Sequence, residues 1–339
     1  MRHLITGGAG FIGSHLAEYL LTHGHEVVVL DDLSSGHREN LAALEHNSSF
    51  ELVVGSSLDV SLLSRYVPKV DVVHHLAASV GNFLLARHPA TVLENNLGCL
   101  SAVLRVAAVA RRKVLFASSS EVYGDLNGRA FRESDPISLP SPTDTRWAYS
   151  YSKAAGESLA LAFASEYHLP VVILRLFNTI GPRQSGRYGH VVPRMVSQAV
   201  AGQPITVFGD GRQTRCFAWV GDVVEAASTL AADPRADGQI FNVGTDQEIS
   251  MLELAERIRR LAKSSSTIQF VPYIEAYERE FIDVRRRVPD ISKLERFLGK
   301  RLQIETDAAL AAIIEAHRRA VASKERASSG RLCPRQHGP

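Results

Sequence analysis

Unbroken runs of apolar residues recur along the first half of the chain and predict buried strands. Side chains alternate between the two faces of a strand, so a run without alternation indicates a strand that is covered on both faces, as in a parallel sheet between helices. The runs predict strands at 3–6, 26–30, 50–54, 70–76, 113–117 and 171–176. Helical patterns lie between most of them, which favours an α/β fold with a doubly wound parallel sheet over residues 1–176.

The pattern changes in the second half of the chain. Proline and glycine cluster in 181–193 and 203–211, and the predicted helices are shorter. We interpret residues 177–318 as a smaller mixed lobe that covers the open edge of the first domain. An apolar run at 240–243 predicts a strand that returns to the main sheet. Residues 323–339 are basic and polar without an apolar period, which predicts a disordered tail.

Two predicted helices are apolar on nearly all sides. They lie near 97–110 and 149–167. A helix of this kind needs a packing partner besides its own sheet. The sequence leaves two alternatives open: internal core helices, or the interface of a homodimer in which these helices pair across a two-fold axis.

Composition and charge narrow the class of protein. Of 339 residues, 45% are hydrophobic and 22% charged, which is typical of a globular chain too long for a single core. The formal net charge of +2 argues against nucleic acid or an acidic membrane as the main partner. The three cysteines form no CxxC pair, so neither a disulfide framework nor a structural metal site is expected.

Secretion and membrane insertion are not expected either. No apolar run approaches the roughly 20 residues that span a bilayer. The first predicted strand begins close to Met1 and leaves no room for a signal peptide. We therefore expect a cytoplasmic protein in a reducing compartment.

Three glycines, Gly7, Gly10 and Gly13, lie between the first predicted strand and a helix. They let the backbone turn tightly and approach a diphosphate, to which the helix N-terminus presents free N–H groups and a positive dipole end. Asp31 ends the second predicted strand, where a carboxylate accepts hydrogen bonds from the adenosine ribose and repels a 2′-phosphate. The pattern predicts dinucleotide binding with NAD favoured over NADP, although the His-Arg pair at 37–38 weakens that preference.

Tyr149 and Lys153 are one helical turn apart, so both side chains point to the same face of a predicted helix. A phenol with a pKa near 10 is a weak base at neutral pH, and a close cation lowers that pKa. We therefore expect a proton-transfer pair, with Tyr151 as a packing or substrate-contact neighbour. The hydroxyl-rich segment 118–124 directly follows the strand at 113–117, so it lies where α/β sheets bind ligands, unless it is only a polar loop.

These motifs, together with Arg-Leu-Phe-Asn-Thr-Ile-Gly-Pro at 175–182, resemble the extended short-chain dehydrogenase/reductases that remodel nucleotide sugars. The resemblance covers about residues 1–315. It implies a Rossmann domain with bound NAD and a C-terminal lobe that holds a nucleoside-diphosphate sugar, with UDP favoured. It implies Tyr149 as the base, Lys153 as its partner and nicotinamide-ribose ligand, and Ser119 as the hydroxyl that bonds the sugar O4. The implied cofactor-binding residues are Gly7, Gly10, Phe11, Ile12, Gly13, Asp31, Asp32, Leu76, Ala77, Asn95, Tyr149 and Lys153.

The resemblance also implies contacts with the rest of the two ligands. Asn178 would contact the sugar diphosphate, and Arg215 would bind a phosphate or ribose. The family usually has an Asp after the glycine that ends its third strand, where it contacts adenine. Here Ser56 follows Gly55, so the resemblance does not extend to that contact.

All members of this family begin alike, because the tyrosine takes the O4 proton while NAD oxidises C4. The 4-keto sugar is then reduced from its other face in epimerases, loses water in 4,6-dehydratases, or loses its C5 carboxylate as CO2 in decarboxylases. Glu121 resembles the dehydratases and decarboxylases, since UDP-galactose-type epimerases have a small or hydroxyl residue there. Ser120, a predicted substrate contact, departs from the Asp of dTDP-glucose dehydratases but is shared by GDP-mannose dehydratases.

Two further segments, 142–153 and 281–290, resemble the decarboxylase domain that acts on UDP-glucuronate in lipid A modification. Arg287 aligns with a catalytic arginine of that family and is a suitable partner for a substrate carboxylate, while Arg285 is a candidate for diphosphate binding. We predict an NAD-dependent UDP-glucuronate decarboxylase, with or without re-reduction of the 4-keto pentose to UDP-xylose. The alternatives are a UDP-sugar 4-epimerase of the glucose/galactose or uronic acid type, a 4,6-dehydratase, and an NAD-sensing regulator on the same fold.

Overall fold

The computed structural model describes residues 1–124, 128–186, 190–277, 284–301 and 304–329. The strands are β1 (Arg2–Thr6), β2 (Glu26–Asp31), β3 (Phe50–Val54), β4 (Val72–His75), β5 (Lys113–Ser119), β6 (Val171–Leu176), β7 (Thr179–Ile180), β8 (Ile205–Phe208), β9 (Thr214–Cys216), β10 (Ala218–Trp219), β11 (Gln239–Val243), β12 (Glu248–Ser250), β13 (Ile268–Val271) and β14 (Arg286–Arg287). The helices are α1 (Phe11–Thr22), α2 (Val60–Tyr66), α3 (Asn82–Arg87), α4 (Pro89–Ala110), α5 (Ala148–Tyr167), α6 (Val191–Val200), α7 (Val220–Ala232), α8 (Met251–Leu261), α9 (Tyr273–Tyr277), α10 (Ser292–Leu298) and α11 (Thr306–Ser329).

Seven of the described strands form the main sheet, in the order β11-β6-β5-β4-β1-β2-β3, and all neighbouring pairs are parallel. This is the doubly wound order with one strand added at the edge. Six of the strands are those that the apolar runs predict. The predicted strand at 240–243 returns as β11, in which Phe241 pairs with Leu174 of β6. The predicted fold class is confirmed.

Both faces of the main sheet are covered, because neighbouring residues of one strand enter different cores. In β1, Leu4 and Ile5 are both fully buried. Leu4 packs in the core that α4 and α5 share, and Ile5 packs in the core that α1 and α7 share. Full burial of such a side chain contributes roughly 1.5–3 kcal/mol, so the absence of alternation in these strands is the direct signature of the three-layer arrangement.

A second core lies outside the main sheet, in the region predicted as the smaller lobe. It is formed by α6, α8 and α11 together with the two-stranded sheet of β8 and β13. In a three-stranded sheet of this region, Arg287 of β14 pairs with Arg215 of β9. Not all of 177–318 belongs to this lobe, since α7 and β11 pack on the main sheet through residues such as Val223 and Phe241.

The end of the chain differs from its prediction. The disordered tail expected from residue 323 is wrong for its first seven residues, because α11 continues through Ser329. Residues 330–339 lie outside the described residues. The end of α11 is rich in Ala, Lys, Glu and Arg, which favour helix without producing an apolar period.

The apolar helix α4 packs inside the protein. By length and composition it is a helix that could cross a membrane, which is weak evidence because core helices share these properties. Its residues Leu100, Val103 and Leu104 are almost fully buried in the core shared with α5. Val109 is 89% exposed, so one apolar part of α4 remains on the surface.

Candidate active site

The glycine loop between β1 and α1 approaches neighbouring backbone more closely than a side chain allows. Gly7 has a φ of +72°, and a Cβ on it would lie 2.7 Å from the backbone N of Ala77. A Cβ on Gly13 would lie 2.4 Å from the Gly7 carbonyl oxygen. After Gly10, α1 begins without a side-chain cap or an acidic residue in its first turn. Its first N–H groups can therefore bind an anion, and the loop fits a dinucleotide diphosphate.

Asp31 ends β2 next to this loop and is 8% exposed. Its Oδ2 accepts a hydrogen bond from the N–H of Ala9 at 2.9 Å, and its Oδ1 accepts one from the N–H of Leu33 at 2.8 Å. Burial raises the pKa of its carboxyl, and the two backbone N–H groups oppose that rise. Each carboxylate oxygen can accept a second hydrogen bond, so Asp31 can still bind ribose hydroxyls.

Arg38 and Ser56, the two residues that depart from the expected NAD pattern, both have partners within the chain. Arg38, which weakens the predicted preference for NAD, has its Nε 2.7 Å from Oε1 of Glu45. Ser56, which replaces the expected Asp, accepts a hydrogen bond from the N–H of Leu58 at 3.1 Å. The Arg38 guanidinium is therefore paired with the Glu45 carboxylate, and the Ser56 hydroxyl stabilises a turn.

One cavity of about 860 Å³ extends from the carboxyl edge of the main sheet into the second lobe. Every predicted cofactor-binding residue lines it. The remaining predicted site residues that line it are Ser119, Ser120, Glu121, Asn178, Arg215 and Arg287. Arg285 does not: it is exposed, and its neighbour Arg286 has NH2 at 2.9 Å from Oε2 of Glu248. The structure therefore does not place Arg285 at the diphosphate, because of the three arginines only Arg287 reaches the cavity.

Tyr149 and Lys153 lie one turn apart at the start of α5, as the spacing predicts. The ammonium of Lys153 is 5.7 Å from the centroid of the Tyr149 ring and donates to the Ala117 carbonyl at 2.7 Å. Burial lowers the pKa of Lys153 to about 8, and the charge of Glu157 opposes this. Tyr149 also forms a hydrogen bond with the Ser119 hydroxyl.

The pKa of Tyr149 does not follow the expectation from its spacing to Lys153. It is raised well above 10, first because the phenol is removed from water and second because the Glu121 carboxylate is close. The hydrogen bond with Ser119 acts in the opposite direction. Desolvation is therefore the main influence on this pKa.

Glu121 and Arg287 form an ion pair beside Tyr149. Glu121 follows β5, Arg287 lies on β14, and their Oε1 and NH1 atoms are 3.6 Å apart. Ser150 donates to the other carboxylate oxygen of Glu121 at 3.2 Å. The Arg287 side chain is 11% exposed, and its buried Nε has no partner among the described residues. A cation with an unused donor therefore lies beside the carboxylate that influences the phenol.

The second lobe and its loops contribute polar groups that sequence reasoning did not identify. Asn178 and Arg215 line the cavity as predicted residues, and Asn178 Nδ2 donates to the Cys216 carbonyl at 3.4 Å. The additional polar residues that line the cavity from this side include Arg183, Gln184, His190, Arg194, Gln213 and Tyr273. They come from separate segments between β7 and α9, so no single sequence motif connects them all.

A buried ion pair between Arg175 and Glu157 lies beneath the site, and the sequence analysis does not predict it. Arg175 donates from NH2 to Oε2 of Glu157 at 2.7 Å and from Nε to Oε1 at 3.0 Å. The Ser118 hydroxyl donates to the same Oε1 at 2.5 Å. All three residues are at most 3% exposed. The pair joins α5, which carries Tyr149 and Lys153, to β6 and to the end of β5.

The chain is similar in sequence to known proteins. A family model described as the NAD dependent epimerase/dehydratase family matches residues 3–244. The chain is 40% identical over 295 residues to the UDP-N-acetyl-alpha-D-glucosaminuronate decarboxylase of Bacillus cytotoxicus, covering 86% of this chain and 90% of that protein. It is 35% identical to UDP-glucuronic acid decarboxylase 1 of Arabidopsis thaliana, covering 88% of this chain and 66% of that longer protein.

Solved structures show the same fold. The UDP-glucuronic acid 4-epimerase of Bacillus cereus, in complex with UDP-glucuronic acid and NAD, superposes with a TM-score of 0.85 at 27% identity, covering 94% of this chain and 100% of that one. The dTDP-glucose 4,6-dehydratase DesIV of Streptomyces venezuelae, with NAD bound, superposes with a TM-score of 0.86 at 29% identity, covering 95% of this chain and 98% of that one. The fold is therefore shared by proteins named as an epimerase and as a dehydratase.

Proposed function

The chain belongs to the NAD dependent epimerase/dehydratase family and is an NAD-dependent enzyme, and we propose that its substrate is a UDP-linked hexuronic acid. The proposed reaction is the decarboxylation of that acid. The observation that carries the proposal is the Glu121–Arg287 pair beside Tyr149. A substrate carboxylate needs a cation within the cavity, and Arg287 supplies one with a buried, unused Nε donor. Both relatives described above are decarboxylases of UDP-linked uronic acids by name.

The first half of the reaction would use Tyr149, Ser119 and Lys153. Tyr149 removes the proton of the C4 hydroxyl, Ser119 holds that hydroxyl, and NAD, when bound, supplies the oxidation by accepting a hydride from C4. The pKa of Tyr149 must fall for this step, since burial and the Glu121 carboxylate raise it. Lys153 and the positive charge of the bound nicotinamide act in that direction.

The second half would use Arg287 and Glu121. Once C4 is a ketone, the C6 carboxylate is β to it, and the bond from C5 to C6 breaks with its electron pair moving toward the ketone oxygen. CO2 leaves, and a proton is then delivered to C5. Arg287 orients the departing carboxylate, and Glu121 is placed to hold or deliver the proton at C5.

The diphosphate of the substrate would bind in the second lobe. Arg215 and Asn178 line the far end of the cavity from β9 and from the segment after β6. A guanidinium and an amide at this end suit a nucleoside diphosphate, and we assign UDP as the nucleotide. Whether C2 carries a hydroxyl or an acetamido group distinguishes the two named relatives, so both uronates belong in the test.

The test is to incubate the purified protein with NAD and either UDP-glucuronate or UDP-N-acetylglucosaminuronate. We expect CO2 release and a mass loss of about 44 with re-reduction of the sugar. Glu121→Gln and Arg287→Ala should each keep NAD binding yet lose CO2 release by more than about tenfold. Glu315→Gln and Arg319→Ala, which change an exposed ion pair on α11 far from the cavity lining, are the matched controls for the effect of a lost charge.

Three results would contradict the decarboxylase proposal, and each points to a different alternative. Interconversion of C4 epimers without CO2 from either uronate contradicts the decarboxylase proposal and favours a 4-epimerase, the activity named for the Bacillus cereus structure. A mass loss of about 18 from a neutral UDP- or dTDP-hexose would instead indicate a 4,6-dehydratase. NAD binding without turnover of any nucleotide sugar would favour the regulator.

We also propose that the protein is a homodimer through α4 and α5. These helices pack on each other, and apolar side chains such as Val109 and the half-buried Phe163 remain at their surface. Light scattering should give twice the chain mass, and Val109→Glu should shift the protein toward the monomer. A monomeric wild type contradicts this. The cytoplasmic location expected from the sequence stays a prediction.

A further inference from the structure

Arg183 belongs to the loop that follows β7, yet its side chain reaches the first domain. Its NH2 is 2.6 Å from Oε2 of Glu18, and its NH1 is 3.4 Å from the Ser14 hydroxyl, both on α1. The residue also lines the cavity. Its contacts therefore connect the second lobe to α1, the helix whose uncapped N-terminal N–H groups can bind the cofactor diphosphate.

Arg183 reaches α1 just beyond the first turn of the helix, where Glu18 balances its charge. The N-terminal turn of a helix carries a partial positive charge, so a cation placed there is unfavourable unless an anion accompanies it. In α1 no acidic residue lies in the first turn, and Gly10 provides no side-chain cap. Glu18, later in the helix, contacts one side of the guanidinium, which leaves the turn itself without a carboxylate.

The described part of the loop packs against the first domain. Arg183 has a φ of +66°, a strained conformation for a residue with a side chain. A Cβ on Gly181 would lie 2.5 Å from Val220 and 3.0 Å from Phe11, so the loop packs directly on the start of α1. Gln184 donates to the Thr179 carbonyl at 3.0 Å and closes the turn. The loop thus places the backbone of Arg183 beside α1, and Glu18 holds its guanidinium there.

We infer that Arg183 retains the cofactor: it supplies, from the second lobe, a positive charge for the NAD diphosphate at the first turn of α1, and Glu18 holds the guanidinium in place. An anion at this turn satisfies both the helix N-terminus and the cation. The two lobes are then joined across the bound cofactor. This role depends on NAD binding and not on which sugar reaction follows.

The test measures NAD itself. Protein loaded with NAD is transferred to NAD-free buffer, and the bound fraction is followed with time, while UDP binding is measured by calorimetry. We expect Arg183→Gln to release NAD more than tenfold faster with unchanged UDP affinity, and Glu18→Gln to release it about three- to tenfold faster. Arg183→Lys, which keeps the charge, should retain NAD better than Arg183→Gln.

Arg319→Gln is the matched control, because Arg319 forms an exposed pair with Glu315 on α11. Its release rate should stay within twofold of the wild type. Release from Arg183→Gln at the wild-type rate overturns the inference, and so does an equal loss of UDP affinity, which would mean that the lobe is disturbed as a whole. Wild-type release from Glu18→Gln overturns the role of Glu18. None of these readouts uses CO2, so failure here is distinguishable from failure of the decarboxylase proposal.

Discussion

His75 lies at the end of β4, directly beneath the cofactor loop, and is 1% exposed. Its Nδ1 is 2.8 Å from the Thr6 hydroxyl, and its ring stacks near Phe116 with centroids 6.1 Å apart. Burial, and to a smaller extent the charge of Lys153, lower its pKa to about 3. This histidine is therefore neutral in the folded protein, and acid should destabilise the fold through it.

The sign and size follow from the two pKa values. The unfolded histidine binds a proton near pH 6.5, whereas the folded one does so only near pH 3. Stability is thus fully present above about pH 6.5 and is lost as the pH falls, by about 1.4 kcal/mol per pH unit. Between pH 7 and pH 5, His75 should remove about 2 kcal/mol. His3, with a pKa of about 4, adds a loss of similar size, and His74 acts in the same direction.

The assay is urea unfolding at pH 7, 6 and 5, followed by tryptophan fluorescence. His75→Gln keeps an amide near Thr6 but does not titrate in this range. Its free energy of unfolding should therefore fall by about 2 kcal/mol less between pH 7 and pH 5 than that of the wild type. His46→Gln, at an exposed position, is the control and should leave the wild-type slope unchanged. An equal slope in His75→Gln and the wild type would refute the reasoning.

Two further predictions concern the cavity. Tyr149→Phe should lower turnover of the nucleotide sugar by about 10² to 10⁴ because it removes the proposed base, while NAD binding, measured by fluorescence titration, stays nearly intact; near-normal turnover would contradict the role. Asp31→Ala should weaken NAD and narrow the gap to NADP, because charge-assisted hydrogen bonds of about 1.5–3 kcal/mol each are lost. Both cofactors are titrated against Asp31→Ala and against Asp32→Ala, and an unchanged preference in the former would show that another group reads the ribose.

The fold was predictable because parallel sheets leave a local signature. Each strand of the first domain is an apolar run, and the carboxyl ends of such strands meet at one edge. For that reason Gly7, Asp31, Ser119 and Tyr149 converge on one cavity although they are far apart in the sequence. No detail of side-chain packing was needed for this part of the site.

The parts that could not be predicted depend on tertiary contacts. The contact between Arg183 and Glu18 joins two lobes, and no sequence spacing encodes it. The raised pKa of Tyr149 was unpredictable for a related reason. The spacing to Lys153 indicates that the two side chains are close, but it does not reveal how far the phenol is removed from water. The run of three arginines at 285–287 does not reveal which of them reaches the cavity, because the path of β14 determines that only Arg287 lines it.

The buried pair of Arg175 and Glu157 has a consequence for engineering this enzyme. Removing either partner alone leaves an uncompensated buried charge, which costs about 3–5 kcal/mol, whereas replacing both with apolar residues of similar volume is often neutral. Single substitutions of Arg175 or Glu157 in a mutant library should therefore lose stability, whereas simultaneous substitution of both residues can retain it. Variation aimed at new sugars is better directed to the second lobe, where Arg194, Gln213 and Tyr273 line the cavity on elements that this pair does not support.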